Sequence, residues 1–387
     1  MAYLDKGSLW LIKEEASYAD TGTVFSYTTD VVEMINPTMD ANTDLIEREV
    51  LKNSLVKAQP VLGKETSSGS FGLEATGLVA GDLNGAVLYK SGMGNEIAAV
   101  ATADVSAEAT GNTVTTIDVP TGTGANYTAG AALKVTFGAT ADEYVVIRSI
   151  ATDTLTISPA LVGTPTDVTD IEGLLSYTIA RPSDPAVSFA VKEYFEDGTT
   201  PITYDYRGVV VSDMTIDFPL ANIIKSTFNV AGAGFTVTSG VTDQVRQCKD
   251  LTPHIAKNMT FTYDGTSYDV ADLSINVASD IYDVEAITTD GLTNKLVTGK
   301  SNVGGSFSLE YAGVDLFNAY EAGTDGELFG LVETGTAAFG VYAPKVILTG
   351  ANKSIDGGVY KDNIDITMLS SPLCSDTVED AVTIFFA

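Results

Sequence analysis

The sequence predicts an all-β protein of more than one domain, and three observations carry that reading. The chain has 387 residues, whereas single cores usually organise about 100 to 200. Its composition, with 36 Gly, 17 Tyr, 15 Phe and only 21 Lys plus Arg, suits short strands and tight turns better than long surface helices. A strand pattern is also written twice along the chain.

The repeat emerges on sliding the sequence by 236 positions, which lays Asp44–Gly77 on Asp280–Gly313 without a gap and with 11 of 34 residues identical. Gly69-Ser70-Phe71 falls on Gly305-Ser306-Phe307, and Leu73-Glu74 falls on Leu309-Glu310. Apolar residues alternate with small or polar ones in both copies, which is the pattern of a half-buried strand. A second, weaker overlay at offset 150 places Phe189 on Phe339 and Met214, Ile216 and Phe218 on Ile364, Ile366 and Met368. The difference, 236 − 150 = 86 residues, reads as a segment inserted in the first copy between about Gly92 and Thr178. The expected organisation is a discontinuous first module (1–92 and 179–245), an inserted β domain (93–178) and a second module (246–387).

One short helix is expected in each copy. Leu78–Ser91 carries Leu83, Val87 and Leu88 with Gly92 as its C-cap, and Val314–Ala322 carries Leu316, Phe317 and Tyr320 with Gly323 in that role. Asp197-Gly198, Asp264-Gly265 and Asp356-Gly357 mark turns between strands. Inside the insert, Val114, Ile117 and Val119, then Leu133, Val135 and Phe137, then Tyr144–Ile150, then Leu155 and Ile157 mark at least four short strands. They suffice for a small β-barrel or immunoglobulin-like domain. The segments Ile46–Leu62 and Tyr282–Thr298, which mix polar and apolar residues, read as loops.

Charge narrows the functional classes. There are 51 acidic against 21 basic residues, for a net charge of -30. The 92–178 segment holds ten acids and two bases, net -8, which leaves -22 for the remainder, so the acidity is distributed. No basic patch is available to grip phosphate, which excludes a conventional nucleic-acid reader. The apolar run Leu9–Ile12 is too short for a signal peptide, and no stretch reaches the roughly 18 to 20 residues of a membrane span.

Neither catalysis nor cofactor or metal binding is expected. His254, the single histidine, stands beside Pro253 and reads as a surface or turn residue. Glu193 and Glu196 are a carboxylate pair of a kind that arises by chance among 51 acids. Asp280, Asp283, Glu285 and Asp290 lack the spacing and central Gly of a calcium loop. Gly232-Ala233-Gly234 and Gly304-Gly305 precede strands and lack the helix N-terminus of a phosphate cradle. Cys248 and Cys374 read as free thiols.

Five segments together carry a family resemblance: LWLIKEEASYADTG (9–22), IEREVLKNSL (46–55), VLGKETSSGSFGLEATG (61–77), YRGVVVSDMTIDF (206–218) and AVTIFFA (381–387). In this order and spacing the chain resembles siphophage major tail tube proteins. That resemblance implies a β-sandwich or distorted-barrel module with one flanking helix, hexameric rings whose inner strands line a channel, and a long hairpin that touches the next ring. With two modules per chain, the expected assembly is a trimeric ring of pseudo-sixfold symmetry, a hexamer being the alternative. The segments around Ile46–Leu62 and Tyr282–Thr298 are the expected inter-ring elements. The implied partners are further copies of the chain, the tape measure protein, and the tail terminator and tail tip proteins. DNA would transit without specific binding, no membrane is involved, and the tail would assemble in the host cytoplasm. The rival readings are a secreted β-rich adhesin or carbohydrate-binding protein and another virion structural protein. The first fits poorly with a single tryptophan, Trp10.

Overall fold

The computed structural model describes residues 8–46, 61–78, 83–138, 141–179, 187–195, 201–239, 251–257, 259–288, 291–310, 315–335, 337–356, 359–370 and 381–387. The fold is all-β, with two short α-helices among the described residues. The first half opens with strands β1 (Ser8–Glu14), β2 (Ile35–Ile46) and β3 (Val61–Glu74), followed by helix α1 (Ala86–Met93) and strand β4 (Gly94–Ile97). Then come β5 (Val100–Asp104), β6 (Thr116–Asp118), β7 (Ala132–Phe137), β8 (Glu143–Ala151), β9 (Thr154–Ser158), β10 (Val168–Gly173) and β11 (Leu175–Ile179). β12 (Phe189–Phe195), β13 (Ile202–Pro219), β14 (Lys225–Gly232) and β15 (Gly234–Ser239) complete it. The second half contains β16 (Met259–Tyr263), β17 (Thr266–Ser267), β18 (Val270–Thr288), β19 (Gly291–Glu310), helix α2 (Asp315–Ala322), β20 (Asp325–Thr334), β21 (Ala337–Asp356), β22 (Val359–Met368) and β23 (Thr383–Phe386).

Eight strands form one continuous antiparallel layer in the order β2–β3–β14–β13–β18–β19–β22–β21. The first four belong to the first half and the last four to the second. Each half folds a second layer over its share. β1–β12–β13–β15 covers the first, using the N-terminal part of β13, and β16–β20–β21–β23 covers the second, using the N-terminal part of β21. β13 passes from one layer to the other at Gly208, whose φ of 60° only glycine adopts readily and where a side chain would meet the Tyr18 ring.

The registers of the two halves run in parallel. Phe71 lies opposite Phe228, as Phe307 lies opposite Ile364. β13 and β21 each carry a bulge, between Val211 and Asp213 and between Leu348 and Gly350, the same place relative to their partners β14 and β22. Trp10 packs edge-on to Phe71 at 5.8 Å across the first half, and Phe261 packs on Phe307 at 5.0 Å across the second. A side chain at Gly69 would run into the carbonyl of Thr38, and one at Gly305 into that of Ser274, 236 positions on in both cases. These pairings correct the overlay at offset 150. The residue in Ile364's place is Phe228 (364 − 228 = 136), and the residue in Met214's place is Ala351 (351 − 214 = 137). Alternation alone misplaced that overlay by one strand, because apolar residues with period 2 recur in every strand of a sandwich.

Residues 100–173 form a separate six-stranded sheet, ordered β5–β10–β7–β8–β9–β6, around a core that includes Ile117, Leu133, Val135, Ile147 and Leu155. The strands read at 117–119, 133–137, 144–150 and 155–157 are present, but Val114 is exposed. β4 and β11, at the two ends of this segment, pair with each other, and β11 also pairs with β23. The six-stranded sheet docks on the second half: Ala132, Tyr144 and Val146 share an apolar cluster with Phe329, Leu331 and Phe385. Arg148 lies 5.7 Å from the centre of the Tyr342 ring, and the Ser158 hydroxyl donates to Glu327 at 2.5 Å.

Two further expectations change. The first helix starts later than expected, at Ala86, and holds Gly92 in its buried face, so the cap is Gly94 (φ 88°), whose N–H donates to the Lys90 carbonyl. Gly323 does end α2, with φ of 61° and the Thr324 N–H reaching the Ala319 carbonyl. The expected loop Tyr282–Thr298 is instead laddered strand in the arms of β18 and β19, where Tyr282 pairs with Val297. Backbone pairing continues there past the core residues Val277 and Val303, whereas apolar alternation reports only the burial of one face. In the first half, residues 47–60 of the corresponding hairpin lie outside the described residues. Asp264-Gly265 forms the two-residue turn between β16 and β17, with φ of 48° and 72° as a type I′ hairpin demands. Asp197-Gly198 lies outside the described residues.

Candidate functional site

The eight-stranded layer has two unlike faces. One carries Phe71, Leu73, Phe228, Ile216, Ile275, Phe307 and Ile366 into the core. The other is built almost wholly from short polar residues in rows that cross the strands. One row reads Thr38, Ser70, Asn229, Asp213, Ala278 and Asn302. The next reads Gly72, Thr227, Thr215, Asn276, Gly304 and Thr367. A third reads Glu74, Lys225, Asp217, Ser274, Ser306 and Asp365. These three rows hold four acids and one lysine, so the face is negative.

Hydrogen bonds fix this face where the halves meet. The Asn276 amide donates to Asp213 at 2.8 Å and to the Thr215 hydroxyl at 3.1 Å, and the Ser274 hydroxyl donates to Asp217 at 2.7 Å. Asn229 approaches Asp213 from the other side at 3.3 Å. These rows carry no aromatic side chain, and Lys225, between Glu74 and Asp217, is their single long basic group. Such a surface, with four acids to one lysine, offers a polyanion net repulsion and no stacking platform.

The layer ends in two strands that pair on one side only, among the described residues. β2 pairs with β3 alone, and β21 beyond Leu348 pairs with β22 alone. An open strand edge is a template for another strand. Among the described residues the polar layer is thus continuous across both halves, with an open strand at each end and the hairpin arm of β18 and β19 beside it.

A family model of phage tail tube proteins matches residues 7–368. The chain belongs to the phage tail tube protein family. It is thus a structural component of the virion tail, and membership implies self-assembly into a tube and contact with other tail proteins. No curated protein matches the chain. No helix among the described residues is long and apolar enough to cross a membrane.

Within this tail tube protein, the residues weighed for chemistry have structural places. His254 is not at the surface as the sequence suggested. Its side chain is 1% exposed, stacks on Phe339 at 6.2 Å, and has Nδ1 3.3 Å from the Thr334 hydroxyl. Its N–H donates to the Ala75 carbonyl and its carbonyl accepts from Ile224, so it is a spacer between the halves. Burial pushes its imidazole down to about 4. Pro253 misled the reading, because the segment 251–257 is irregular and largely at the surface, yet turns His254 and Ala256 inward.

Glu193 lies on β12 at 8% exposure, and burial lifts its carboxyl to about 7; Glu196 lies outside the described residues. Asp280 is exposed on β18, Asp283 and Glu285 stand further along that strand, and Asp290, Cys248 and Cys374 lie outside the described residues. Gly232-Ala233-Gly234 joins β14 to β15, and Gly304-Gly305 stands within β19 rather than before it. Among the described residues, no group of three or more His, Cys, Asp or Glu is placed to hold a metal. Sequence reading missed the polar rows, whose only signal was the run of Ser, Thr, Asn and Asp at the positions between core residues.

Proposed function

We propose that the chain carries the tail tube module twice and that three copies form a closed ring of six modules, stacked into a non-contractile siphophage tail tube through which DNA is ejected. The observation that carries this reading is the recurrence of one pairing scheme, bulge included, in β2–β3–β14–β13 and β18–β19–β22–β21. Each half contributes four strands to one layer, so a ring of three chains presents a continuous wall. A heterologous contact that closes on itself is the assembly such a chain permits.

The polar face is the lumen wall in this proposal. Its acidity repels the DNA backbone, which keeps the passing duplex from sticking. The hairpin arms of β18 and β19, and the corresponding arms of β2 and β3, reach the adjacent ring, while the ends of the tube meet the tape measure, terminator and tip proteins. The 93–178 domain decorates the outside. Its sheet packs on β20, β21 and β23, the layer on the far side of the core from the polar face.

Negative-stain microscopy of the purified chain tests the reading. Hollow tubes or rings whose averages show three equal subunits with six lobes are the expected result. A population of discrete monomers at all concentrations, or rings of six chains, would overturn the trimeric assembly. An adhesin or carbohydrate-binding role would instead show as monomers that bind glycans.

A further inference from the structure

We propose that the β13–β14 turn, with the segment beside it, is a stacking key. It is an apolar surface that receives the β18–β19 arm of a second copy in the next ring, and it differs between the two halves, so that it selects one of two rotations between rings. This rests on the tube reading above and names the receiving surface, the arm that meets it and the rotation they set.

The surface is built by the backbone. β13 ends at Pro219 and β14 begins at Lys225, and the residues between them lie along 254–257 in a short ladder that includes the bridge from Ile223 to Ile255. The Ala221 N–H donates to the Ala256 carbonyl at 3.0 Å, the Ala256 N–H to the Asn222 carbonyl at 2.9 Å, and the Ile224 N–H to the His254 carbonyl at 3.0 Å. Ala221 takes a φ of 52°, a left-handed conformation that a residue with a Cβ enters at a cost, so the ladder holds the turn against its own preference. Ile224, His254 and Ala256 point inward, whereas Leu220 is 62% and Ile255 43% exposed. Two large apolar side chains fixed together on a hydrogen-bonded turn form a contact surface rather than scattered exposure.

Position and charge identify the occupant. The turn stands at one end of the polar layer, just past Pro219 opposite Asp272, and the β18–β19 arm leaves the other end. Tyr282 on that arm is 57% exposed and lies ten residues from Asp272 (282 − 272 = 10), roughly 33 Å along the strand. A second copy displaced by that length along the strands brings its Tyr282 to the turn. Lys257 is exposed two residues from Ile255, and Asp280 is exposed two residues from Tyr282, so opposite charges flank the apolar contact.

A ring of matched modules leaves a choice of rotation. Subtracting 236 carries Asp280 and Ile281 onto Asp44 and Leu45 of β2, where Asp44 is exposed and Leu45 is 62% exposed. Each chain thus offers two similar arms, and turning one ring by a single module exchanges them. The receiving ends are not alike, for the residue in Leu220's place in the second half is Gly357 (357 − 220 = 137). Tyr282 has more apolar area to bury than Leu45, so it belongs on Leu220 and the β2 arm falls to the Gly357 end. An apolar side chain present at one of two otherwise matched sites discriminates by a difference of affinities.

The full chain with Cys248→Ser and Cys374→Ser serves for the test. Leu220→Ser with Ile255→Ser should raise the concentration needed for tubes at least about tenfold in negative stain, while single rings persist and the melting temperature of the unassembled chain holds. In assembled tubes, Leu220→Cys with Tyr282→Cys should give chains linked by a short bis-maleimide, and Leu220→Cys with Leu45→Cys at least about tenfold fewer. Tubes that form unchanged with Leu220→Ser and Ile255→Ser would overturn the receiving surface. Linking through Leu45 as strong as that through Tyr282, or stronger, would overturn the rotation. Either result leaves the tube reading standing, whereas failure of the chain without these substitutions to assemble at any concentration would remove that reading and the key with it.

Discussion

Helix α1 and helix α2 follow equivalent strands and end on capping glycines, yet their surroundings differ. α1 buries Leu88, Tyr89 and Met93, and its Tyr89 hydroxyl is 2.8 Å from that of Ser226 in the interior. α2 buries Leu316 and leaves Phe317 and Tyr320 in solvent. The first-half helix is sealed because strands of the other half, with β4 and β11, lie over it; the second-half helix has no such cover among the described residues. The two halves thus differ less in design than in what packs on them.

The comparison breaks most readily in the core. Phe71→Ala and Phe307→Ala should each cost about 3–5 kcal/mol, since both rings are buried and pack on the opposite layer. Because the main apolar cluster runs through both halves, each variant should still melt in a single transition by circular dichroism and calorimetry. Two transitions would show that the halves unfold separately.

Next comes the pair of buried titrating groups, which the halves do not share, for the residue in Glu193's place is Gly330. Glu193 stays protonated in the folded chain up to about pH 7 while the unfolded chain ionises near 4.5, so its contribution is lost as pH rises through that window. His254 stays neutral down to about 4 while the unfolded chain takes up a proton near 6.5, so its contribution is lost as pH falls. The two slopes oppose each other between pH 4.5 and 6.5. Glu193→Gln should leave stability unchanged at pH 4 and raise it by up to about 3 kcal/mol at pH 8, measured by urea denaturation. An equal gain at both pH values would sink the assignment.

Smaller effects should follow from the matched glycines. Gly69→Ala and Gly305→Ala should each destabilise by about 1–3 kcal/mol, because both strands must move away from a facing carbonyl. Unequal costs would show that the matched backbones relax differently. Smallest of all, Phe317→Ser should shift stability by less than about 0.5 kcal/mol, because its ring is 43% exposed.

Much of the fold was legible because period-2 alternation reports strands directly. The repeat at 236 was readable from Gly69-Ser70-Phe71 and Gly305-Ser306-Phe307, where the glycine is demanded by a carbonyl and the phenylalanine by the core. The late overlay failed because Met214, Ile216 and Phe218 have the pattern of any core strand, with no glycine or turn to fix which one. His254 was misplaced since burial of an irregular segment leaves no periodic trace. The polar rows were invisible as a surface, for the order of strands within a layer is set by pairing between distant segments.

The docked six-stranded sheet has a consequence for how a chain keeps its own halves together. It departs from the first half after α1, clasps β20, β21 and β23 of the second, and lends β11 to the edge of β23. A strap of this kind holds the second half at high local concentration beside its own first half, so that a free β18 edge from another molecule competes poorly for β13. Each subunit then arrives already paired, and exchange of halves between molecules, which would yield branched or runaway polymer, is suppressed before the tube begins to form.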